Sequence, residues 1–258
     1  MPSLSPLLLA AVALYGAMAL LWLLSLRLKD SSIVDLFWGP AFALVAWVEL
    51  LSATPSPRGY LLASLVTVWA LRLGLYLAWR NHGRGEDPRY VAMRARHGAA
   101  WPLRSLFIVF FLQGTLVLLV GLPLHAVMLS PQPALGLLDA LGALVFAVGL
   151  AFESLGDLQL ARFKSKPEHR GQVMDRGLWR YTRHPNYFGD FLVWWGLYGL
   201  AASSGLAGLL SAVGPAVMTV LLLRVSGVSL LEQSMKDRPG YAGYIARTSA
   251  FFPRPPRG

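Results

Sequence analysis

The stretch LLLAAVALYGAMALLWLLSL at residues 7–26 decides the fold class of this 258-residue chain. Its 20 residues carry no charge, and a helix of that length, at about 1.5 Å per residue, crosses a hydrocarbon core of about 30 Å. No basic residue precedes the stretch, and it is longer than the apolar core of a cleavable signal peptide. We therefore predict a membrane-spanning helix here.

Six further apolar stretches follow, so the sequence predicts an all-α integral membrane protein with seven transmembrane helices. Hydrophobic residues make up 55% of the chain and charged residues 14%, whereas soluble domains carry about 25% charged residues. We expect Ser203, Ser204 and Gly205 to form a tight turn between the last two spans, of which the seventh is interrupted by Gly214 and Pro215. The predicted spans after the first are 33–52, 60–79, 106–129, 134–155, 191–202 and 206–223.

The 23 Lys and Arg residues fall on alternate connectors between these spans, 20 on one side and 1 on the other, with Arg72 and Arg224 inside spans. The positive-inside rule then puts the N-terminus outside and the C-terminus in the cytoplasm. Because this topology accounts for the net charge of +10, we expect no nucleic-acid partner. The chain has no Cys, which excludes disulfide frameworks, thiolate metal sites and cysteine nucleophiles.

Ionisable side chains inside a bilayer are costly and usually face a partner, a cavity or a ligand. In this chain they concentrate in the predicted cytoplasmic halves of the spans, whereas the outer halves offer only Glu49, His125 and Asp139 near helix ends. A proton or ion path would need polar groups at both depths, so a transporter is disfavoured. The cytoplasmic set comprises Asp35, Arg72, Glu153, Asp157, Asp190 and Arg224.

Two connectors, residues 80–90 and 177–190, hold more Arg, Asn, Tyr and carboxylate groups than topology requires. Pro185 in the second connector is expected to break any helix before the sixth span. Since no strand is predicted, a Rossmann nucleotide site is excluded, and a nucleotide would bind among helix ends. Arginines suit the ribose phosphate of NADPH, and the candidates are Arg84, Arg89, Arg180 and Arg183.

The run GLWRYTRHPNYFGD at residues 177–190 resembles the C-terminal signature of the steroid 5α-reductase superfamily, which includes the sterol carbon-14 reductases and bacterial homologues. The resemblance extends over nearly the whole chain. It rests also on Ser32-x-x-Asp35-x-x-Trp38-Gly39, Arg80-Asn81-x-Gly83-x-Gly85-Glu86-Asp87-x-Arg89-Tyr90, Glu153-x-x-x-Asp157-x-Gln159, Pro239-x-Tyr241-x-x-Tyr244 and Phe251-Phe252-Pro253.

This resemblance implies a seven-helix enzyme that binds NADPH from the cytoplasmic side and reduces a carbon–carbon double bond conjugated to a ketone in a steroid-like lipid. It implies one membrane-embedded domain over residues 1–258, with 1–130 on the substrate side and 131–258 on the cofactor side. The positions that match cofactor contacts of the family are Arg72, Asn81, Arg84, Glu86, Asp87, Arg89, Tyr90, Glu153, Asp157, Lys164, Tyr181, Arg183, His184, Asn186, Tyr187, Asp190, Arg224 and Tyr244.

The proton donor is the least determined part of this chemistry. Hydride addition to an enone leaves an enolate, so a donor must face the ketone oxygen. The family's steroid enzymes use a Gln–Glu pair in the second helix and a Tyr in the third, but this chain has no Gln–Glu pair and carries Asp35 and Trp38 in the nearest stretch. Asp35, protonated in an apolar pocket or paired with Arg72, is the predicted catalytic acid, and Tyr76 is the alternative donor. Trp38 and Trp69 are predicted to contact the substrate.

Two other function classes stay open. Isoprenylcysteine carboxyl methyltransferases share an Arg-His-Pro-x-Tyr turn, so a membrane methyltransferase using S-adenosylmethionine is the alternative enzyme. A non-enzymatic lipid-binding or scaffold protein is the third. We expect a monomer in the bacterial inner (plasma) membrane, with membrane lipid and a sterol-like lipid as partners. No metal site is expected, because no second His or carboxylate stands at metal-ligand spacing from His184.

Overall fold

A computed structural model describes residues 5–130, 134–225 and 227–257, and within them the chain is helical and forms no strand. Six helical segments of this part are long and apolar enough to cross a membrane, which confirms an all-helical integral membrane protein. The segments are Pro6–Leu28, Ile33–Ser52, Pro57–Asn81, Pro88–Val120, Leu137–Lys164 and Gly205–Val225.

Several of these segments are composed of shorter helices. A π-helical turn at Leu106–Phe111 joins α5 to α6, and a second at Leu221–Val225 follows α11. In chain order the α-helices are α1 (Pro6–Leu28), α2 (Ile33–Ser52), α3 (Pro57–Asn81), α4 (Pro88–His97), α5 (Trp101–Ser105), α6 (Leu112–Val120), α7 (Leu122–Leu129), α8 (Leu137–Lys164), α9 (Pro185–Ala201), α10 (Gly205–Leu210), α11 (Val213–Val220), α12 (Val228–Met235) and α13 (Tyr241–Arg247).

The helices form two compact units, which are described separately. The first unit is Met1–Gly136 with Leu200–Ser211, and the second is Leu137–Gly199 with Ala212–Gly258. In the first unit, α2 packs against both α1 and α3. A Cβ on Gly39 of α2 would lie 3.0 Å from the Cα atom of Ala70 on α3, so this glycine permits the close approach of the two helices.

Helix starts in the first unit follow local rules. The Ser56 hydroxyl accepts a hydrogen bond from the Gly59 backbone N–H at 3.0 Å, and Pro57 occupies the first turn of α3. A serine cap satisfies a backbone donor that has no partner within the helix, and proline has no such donor to satisfy. Asp87 caps α4 in the same way and precedes Pro88.

In the second unit, α8 and α9 approach each other through glycines. Gly142, Gly149 and Gly156 recur every seven residues along α8, a spacing that puts them on one helix face. A Cβ on Gly149 would lie 2.6 Å from the carbonyl oxygen of Gly189, and a Cβ on Gly196 would lie 2.8 Å from that of Gly142. The two backbones are therefore in contact, and any larger side chain here would separate them.

Proline explains two boundaries that the sequence analysis predicted wrongly. The chain is not helical over residues 181–184, and α9 then begins at Pro185, six residues before the predicted start of the sixth span. A proline fits the first helical turn because its missing N–H would have no helical partner there. The predicted span 106–129 is interrupted at Gly121, and Pro123 lies in the first turn of α7.

Other boundaries differ in length. Helix α8 continues to Lys164, beyond the predicted end at residue 155. The polar residues that follow residue 155 therefore belong to the same helix. The predicted turn at Ser203, Ser204 and Gly205 is confirmed, since α9 ends at Ala201 and α10 begins at Gly205. The sixth predicted span corresponds to α9, which is 17 residues long and is not among the six long segments. The count of seven spans and their orientation therefore stay predictions.

Candidate functional site

The first of two polar clusters lies in the first unit, around Asp35 in the first turn of α2. Arg89 Nη2 donates to Asp35 Oδ2 at 2.8 Å, and the Tyr90 hydroxyl donates to Asp35 Oδ1 at 2.8 Å. Both oxygens accept hydrogen bonds, and a guanidinium can only donate, so these contacts favour the ionised carboxylate over the protonated form. The charged partner that the structure gives Asp35 is Arg89, whereas the sequence pointed to Arg72.

The loop before α4 supplies the rest of this cluster. Asp87 Oδ1 accepts from the Arg89 side chain and from its backbone N–H, both at 2.9 Å. Glu86 pairs with Arg94 at 2.8 Å and accepts from the Ser31 backbone N–H at 2.6 Å. Burial alone would raise the pKa of Glu86, but the hydrogen bonds from Arg94 and Ser31 outweigh it and hold the pKa below its ordinary value. Glu86 therefore fastens this loop to the start of α2.

The predicted residues of α3 lie near its C-terminal end. The guanidinium carbon of Arg72 is 5.4 Å from the centre of the Tyr76 ring, and that of Arg80 is 5.7 Å from it, distances typical of cation–π contacts. Asn81 Oδ1 accepts from Arg80 Nε at 3.1 Å. Arg84 is exposed in the following loop. The structure thus brings Arg72 and Tyr76 together, as their spacing of one helical turn predicts.

The two predicted substrate tryptophans are linked by a third aromatic residue. The Phe42 ring packs edge-on against Trp38, with centroids 5.2 Å apart, and against Trp69, with centroids 5.8 Å apart. Trp69 is fully buried and Trp38 is half-buried. Trp69 therefore serves the packing of α2 and α3, and Trp38 retains accessible surface.

The second polar cluster lies in the second unit, where α8 meets α9. Asn186 Nδ2 donates to Asp157 Oδ1 at 3.0 Å, and Glu153, Asp157 and Asp190 are buried. A Cβ on Gly156 would lie 3.0 Å from the backbone nitrogen of Asn186. The glycine contact therefore places two predicted cofactor positions of α8, Glu153 and Asp157, against the start of α9, which carries two more, Asn186 and Asp190.

Beyond the end of α8, the second unit contains a cavity of about 480 Å³, which we name the basic cavity. Its aromatic wall consists of Phe163, Trp179, Tyr241 and Tyr244, all of them buried. The Phe163 ring stacks on His169 at a centroid distance of 4.2 Å. Apolar and uncharged residues and seven basic ones complete the lining, and the basic ones are Lys164, Lys166, His169, Arg170, Arg183, His184 and Arg238. The cavity thus combines flat apolar surfaces with an excess of positive charge.

Arg183 and His184 on the cavity wall also hold the C-terminal segment in place. Arg183 pairs with Glu232 at 2.7 Å and donates to the Thr248 carbonyl oxygen at 2.6 Å, and His184 Nε2 lies 3.2 Å from Glu232. The hydrogen bond with His184 and then that with Arg183 lower the pKa of Glu232, against the opposing effect of burial. We name this set, Arg183, His184 and Glu232, the latch.

Tyrosines reinforce this segment. The Tyr244 hydroxyl donates to the Trp179 carbonyl oxygen at 2.5 Å, and burial raises the pKa of Tyr244 above its ordinary value. The Tyr187 ring stacks on His184 at 5.6 Å. Tyr181 and Arg224, by contrast, are exposed. Tyr244 is therefore a neutral hydrogen-bond donor at neutral pH.

The structure assembles only part of the predicted cofactor set in one place. Lys164, Arg183, His184 and Tyr244 line the basic cavity, whereas Arg180 lies outside it. Several residues of the lining were not predicted, because the basic ones were interpreted as topology signals and the aromatic ones as packing or interfacial residues. An excess of Lys, Arg and His over acidic residues in 162–170 was the available signal. The missed lining residues are Phe163, Lys166, His169, Arg170, Trp179 and Arg238.

Comparisons with known proteins give a family and two relatives. Residues 21–248 match the family described as "Protein of unknown function (DUF1295)". An uncharacterized protein of Schizosaccharomyces pombe is 28% identical over 261 residues, which cover 91% of this chain and 76% of that protein. A probable O-methyltransferase, ustE of Ustilaginoidea virens, is 39% identical over 66 residues, which cover 26% of this chain and 22% of that protein. No solved structure matches the chain.

Proposed function

The chain belongs to the DUF1295 family, and we propose that this member is a membrane-bound, NADPH-dependent reductase of the steroid 5α-reductase type. Its substrate would be a steroid-like lipid in which a carbon–carbon double bond is conjugated to a ketone. The proposal includes the topology predicted from the sequence, with seven spans, the N-terminus outside and the polar loops in the cytoplasm. It also includes a monomer in a bacterial inner membrane.

The observation that carries the proposal is the composition of the basic cavity. Its volume of about 480 Å³ is within the range of small-molecule sites. Stacked aromatic rings suit a nucleotide base, and Lys and Arg suit phosphate groups. NADPH has about four negative charges, so a lining with this excess of positive charge fits it.

Different residues would bind different parts of NADPH. Lys166, Arg170 and Arg238 are exposed cations at the cavity and would bind phosphate oxygens. Arg183 already donates to Glu232 and to backbone carbonyls, so its contribution is to hold the wall and to add positive charge. Asn186, oriented by its hydrogen bond to Asp157, would bind a polar group of the cofactor.

The proposed hydrogen-bond donors to the ketone are Asp35 and Tyr76, both of which belong to the first unit. The hydride for the β-carbon of the enone would come from bound NADPH. Asp35 or Tyr76 would donate a hydrogen bond to the ketone oxygen while the enolate forms, and a proton taken up from water would then add to the α-carbon to give the saturated ketone. Asp35 accepts hydrogen bonds at both oxygens, so it must gain a proton before it can act as an acid. Tyr76 carries its proton already.

A membrane methyltransferase is the second candidate. The relative from Ustilaginoidea virens is a probable O-methyltransferase, and it matches this chain over 66 residues. S-Adenosylmethionine carries a sulfonium and an ammonium group against one carboxylate, so it is a net cation. A cavity lined by Lys166, Arg170 and Arg238 repels a net cation. The charge of the cavity therefore favours the reductase.

The test is a binding titration of the full-length protein with NADPH and with NADH. We expect NADPH to bind at least about tenfold more tightly, because each charge-assisted hydrogen bond to the extra phosphate contributes about 1.5–3 kcal/mol. The double variant Lys166→Gln/Arg170→Gln should lose that preference. Arg162→Gln is the matched control, since Arg162 is exposed near the same helix end and does not line the cavity. Equal affinity for both nucleotides would contradict the proposal.

Turnover provides the second readout. The protein should oxidise NADPH in the presence of a 4-ene-3-ketosteroid and should leave an isolated alkene unchanged, since only the ketone allows an enolate to form. Methyl transfer from S-adenosylmethionine without oxidation of NADPH would instead establish the second candidate.

A further inference from the structure

The second unit has another depression, separate from the basic cavity and lined mainly by arginine. We name it the arginine depression. Three segments distant in sequence form it, residues 175–180, 247–248 and 256–257. Its volume is about 440 Å³. The lining residues are Asp175, Arg176, Gly177, Arg180, Arg247, Thr248, Pro256 and Arg257.

The charges of this lining do not balance. Asp175 is its one carboxylate and pairs with Arg247 at 2.7 Å. Within residues 5–130, 134–225 and 227–257, the side chains of Arg176, Arg180 and Arg257 make no hydrogen bond or ion pair with another side chain. Among the described residues, three guanidinium groups therefore face one depression whose carboxylate, Asp175, is already paired with Arg247, an arrangement that favours an anionic ligand.

The backbone holds these segments together without any ligand. The Arg257 backbone N–H donates to the Arg247 carbonyl oxygen at 2.9 Å, and the Arg254 N–H donates to the Tyr181 carbonyl oxygen at 3.0 Å. Membrane topology requires basic residues in a connector, but it does not require them to converge from three segments. The convergence therefore needs another explanation.

The turn Gly177–Arg180 separates the two sites. Trp179 lines the basic cavity, whereas Gly177 and Arg180 line the arginine depression. The Leu178 backbone N–H donates to Gln159 Oε1 at 2.9 Å, which fastens the turn to the last turns of α8. Since α8 is one of the six membrane-spanning candidates, the depression lies beside the end of a span. Lipid phosphates lie at that depth.

We propose that the arginine depression binds a phosphate group, either the headgroup of an anionic phospholipid or free phosphate. Arginine matches phosphate oxygens through its planar fork of donors. The depression takes this anion independently of the nucleotide, and the proposal does not rest on the reductase activity.

The experiment measures binding of two probes to the full-length protein. One arm titrates inorganic phosphate into detergent-solubilised protein. The other compares retention of phosphatidylglycerol and phosphatidylcholine by native mass spectrometry after purification from mixed nanodiscs. The double variant Arg176→Gln/Arg257→Gln removes two of the three unpaired cations. Arg254→Gln is the matched control, because it removes one exposed charge from the same tail outside the depression.

The expected result is preferential binding of one or both phosphate probes, weakened at least about tenfold in the double variant and unchanged in the control. Preference for phosphatidylglycerol assigns the site to lipid, and binding of phosphate alone assigns it to the free anion. The proposal would be overturned if the parent and the double variant bound inorganic phosphate equally and also retained phosphatidylglycerol equally. Loss of NADPH binding in the double variant would also overturn it, since the arginines would then belong to the nucleotide site.

Discussion

Replacing Gly196 by alanine should separate α8 from α9 and destabilise the protein. The added Cβ would lie 2.5 Å from the backbone nitrogen of Phe146, whereas ordinary contact begins at 3.4 Å, so the helices must move apart by about 0.9 Å. The obstructing atoms belong to backbone and cannot rotate away. Overpacking of this kind costs about 1–3 kcal/mol, and alanine recovers up to about 1 kcal/mol through its helix propensity.

Relative to an alanine placed in open space on a helix, which gains the same helix propensity, the loss is about 1–3 kcal/mol, which corresponds to a Tm about 2–12 °C lower in a chain of this size. Intrinsic tryptophan fluorescence on heating in detergent measures it. Gly16→Ala is the matched control, since a Cβ at Gly16 meets nothing within 4 Å. Its Tm should stay the same or rise slightly, because alanine stabilises a helix relative to glycine.

A third variant connects this packing to the site. A Cβ at Gly156 would lie 3.0 Å from the backbone nitrogen of Asn186, so the neighbouring atoms need to shift by a few tenths of an ångström only. Gly156→Ala should fold with a nearly unchanged Tm and bind NADPH more weakly, because it displaces the Asn186–Asp157 pair.

If Gly196→Ala melted at the same temperature as the Gly16→Ala control, backbone contact between α8 and α9 would be refuted.

Three further outcomes are expected. Asp35→Asn should keep NADPH affinity and lose about 10²–10⁴-fold in turnover if Asp35 is the acid; retained turnover, with Tyr76→Phe inactive, would assign the donor to Tyr76. Cysteines introduced at Arg96 and Gln172 should resist an impermeant thiol reagent added to intact cells, and ready labelling of either would reverse the topology. The lowered pKa of Glu232 stabilises the fold above its ordinary pKa of about 4.3 and ceases to do so as the pH falls through the folded-state value. The parent should therefore lose more Tm than Glu232→Gln between about pH 6 and pH 3, and parallel losses would show that the latch does not contribute.

The membrane-spanning helices follow from local sequence, and most of them could be predicted. A run of uncharged apolar residues such as 7–26 has no stable place in water, and its length matches the bilayer. Ser56 before Pro57 likewise marks the start of α3 by local hydrogen bonding. Pro185 was ambiguous, since proline can end a helix or begin one, and its neighbours do not decide between the two.

The sites depend on contacts between residues far apart in the chain. Asp35 meets Arg89 across 54 positions, and the latch joins Arg183 to Glu232 across 49. No sequence period or local motif specifies such pairs, because they form only when helix packing brings the elements together. The sequence by itself determined that the protein is helical and spans a membrane, and which basic, aromatic and acidic side chains are available to form a site. Only the tertiary structure decided which arginines pair with carboxylates and which, such as Arg257, have no such partner among the described residues, because helix packing sets the distances on which charge pairing depends.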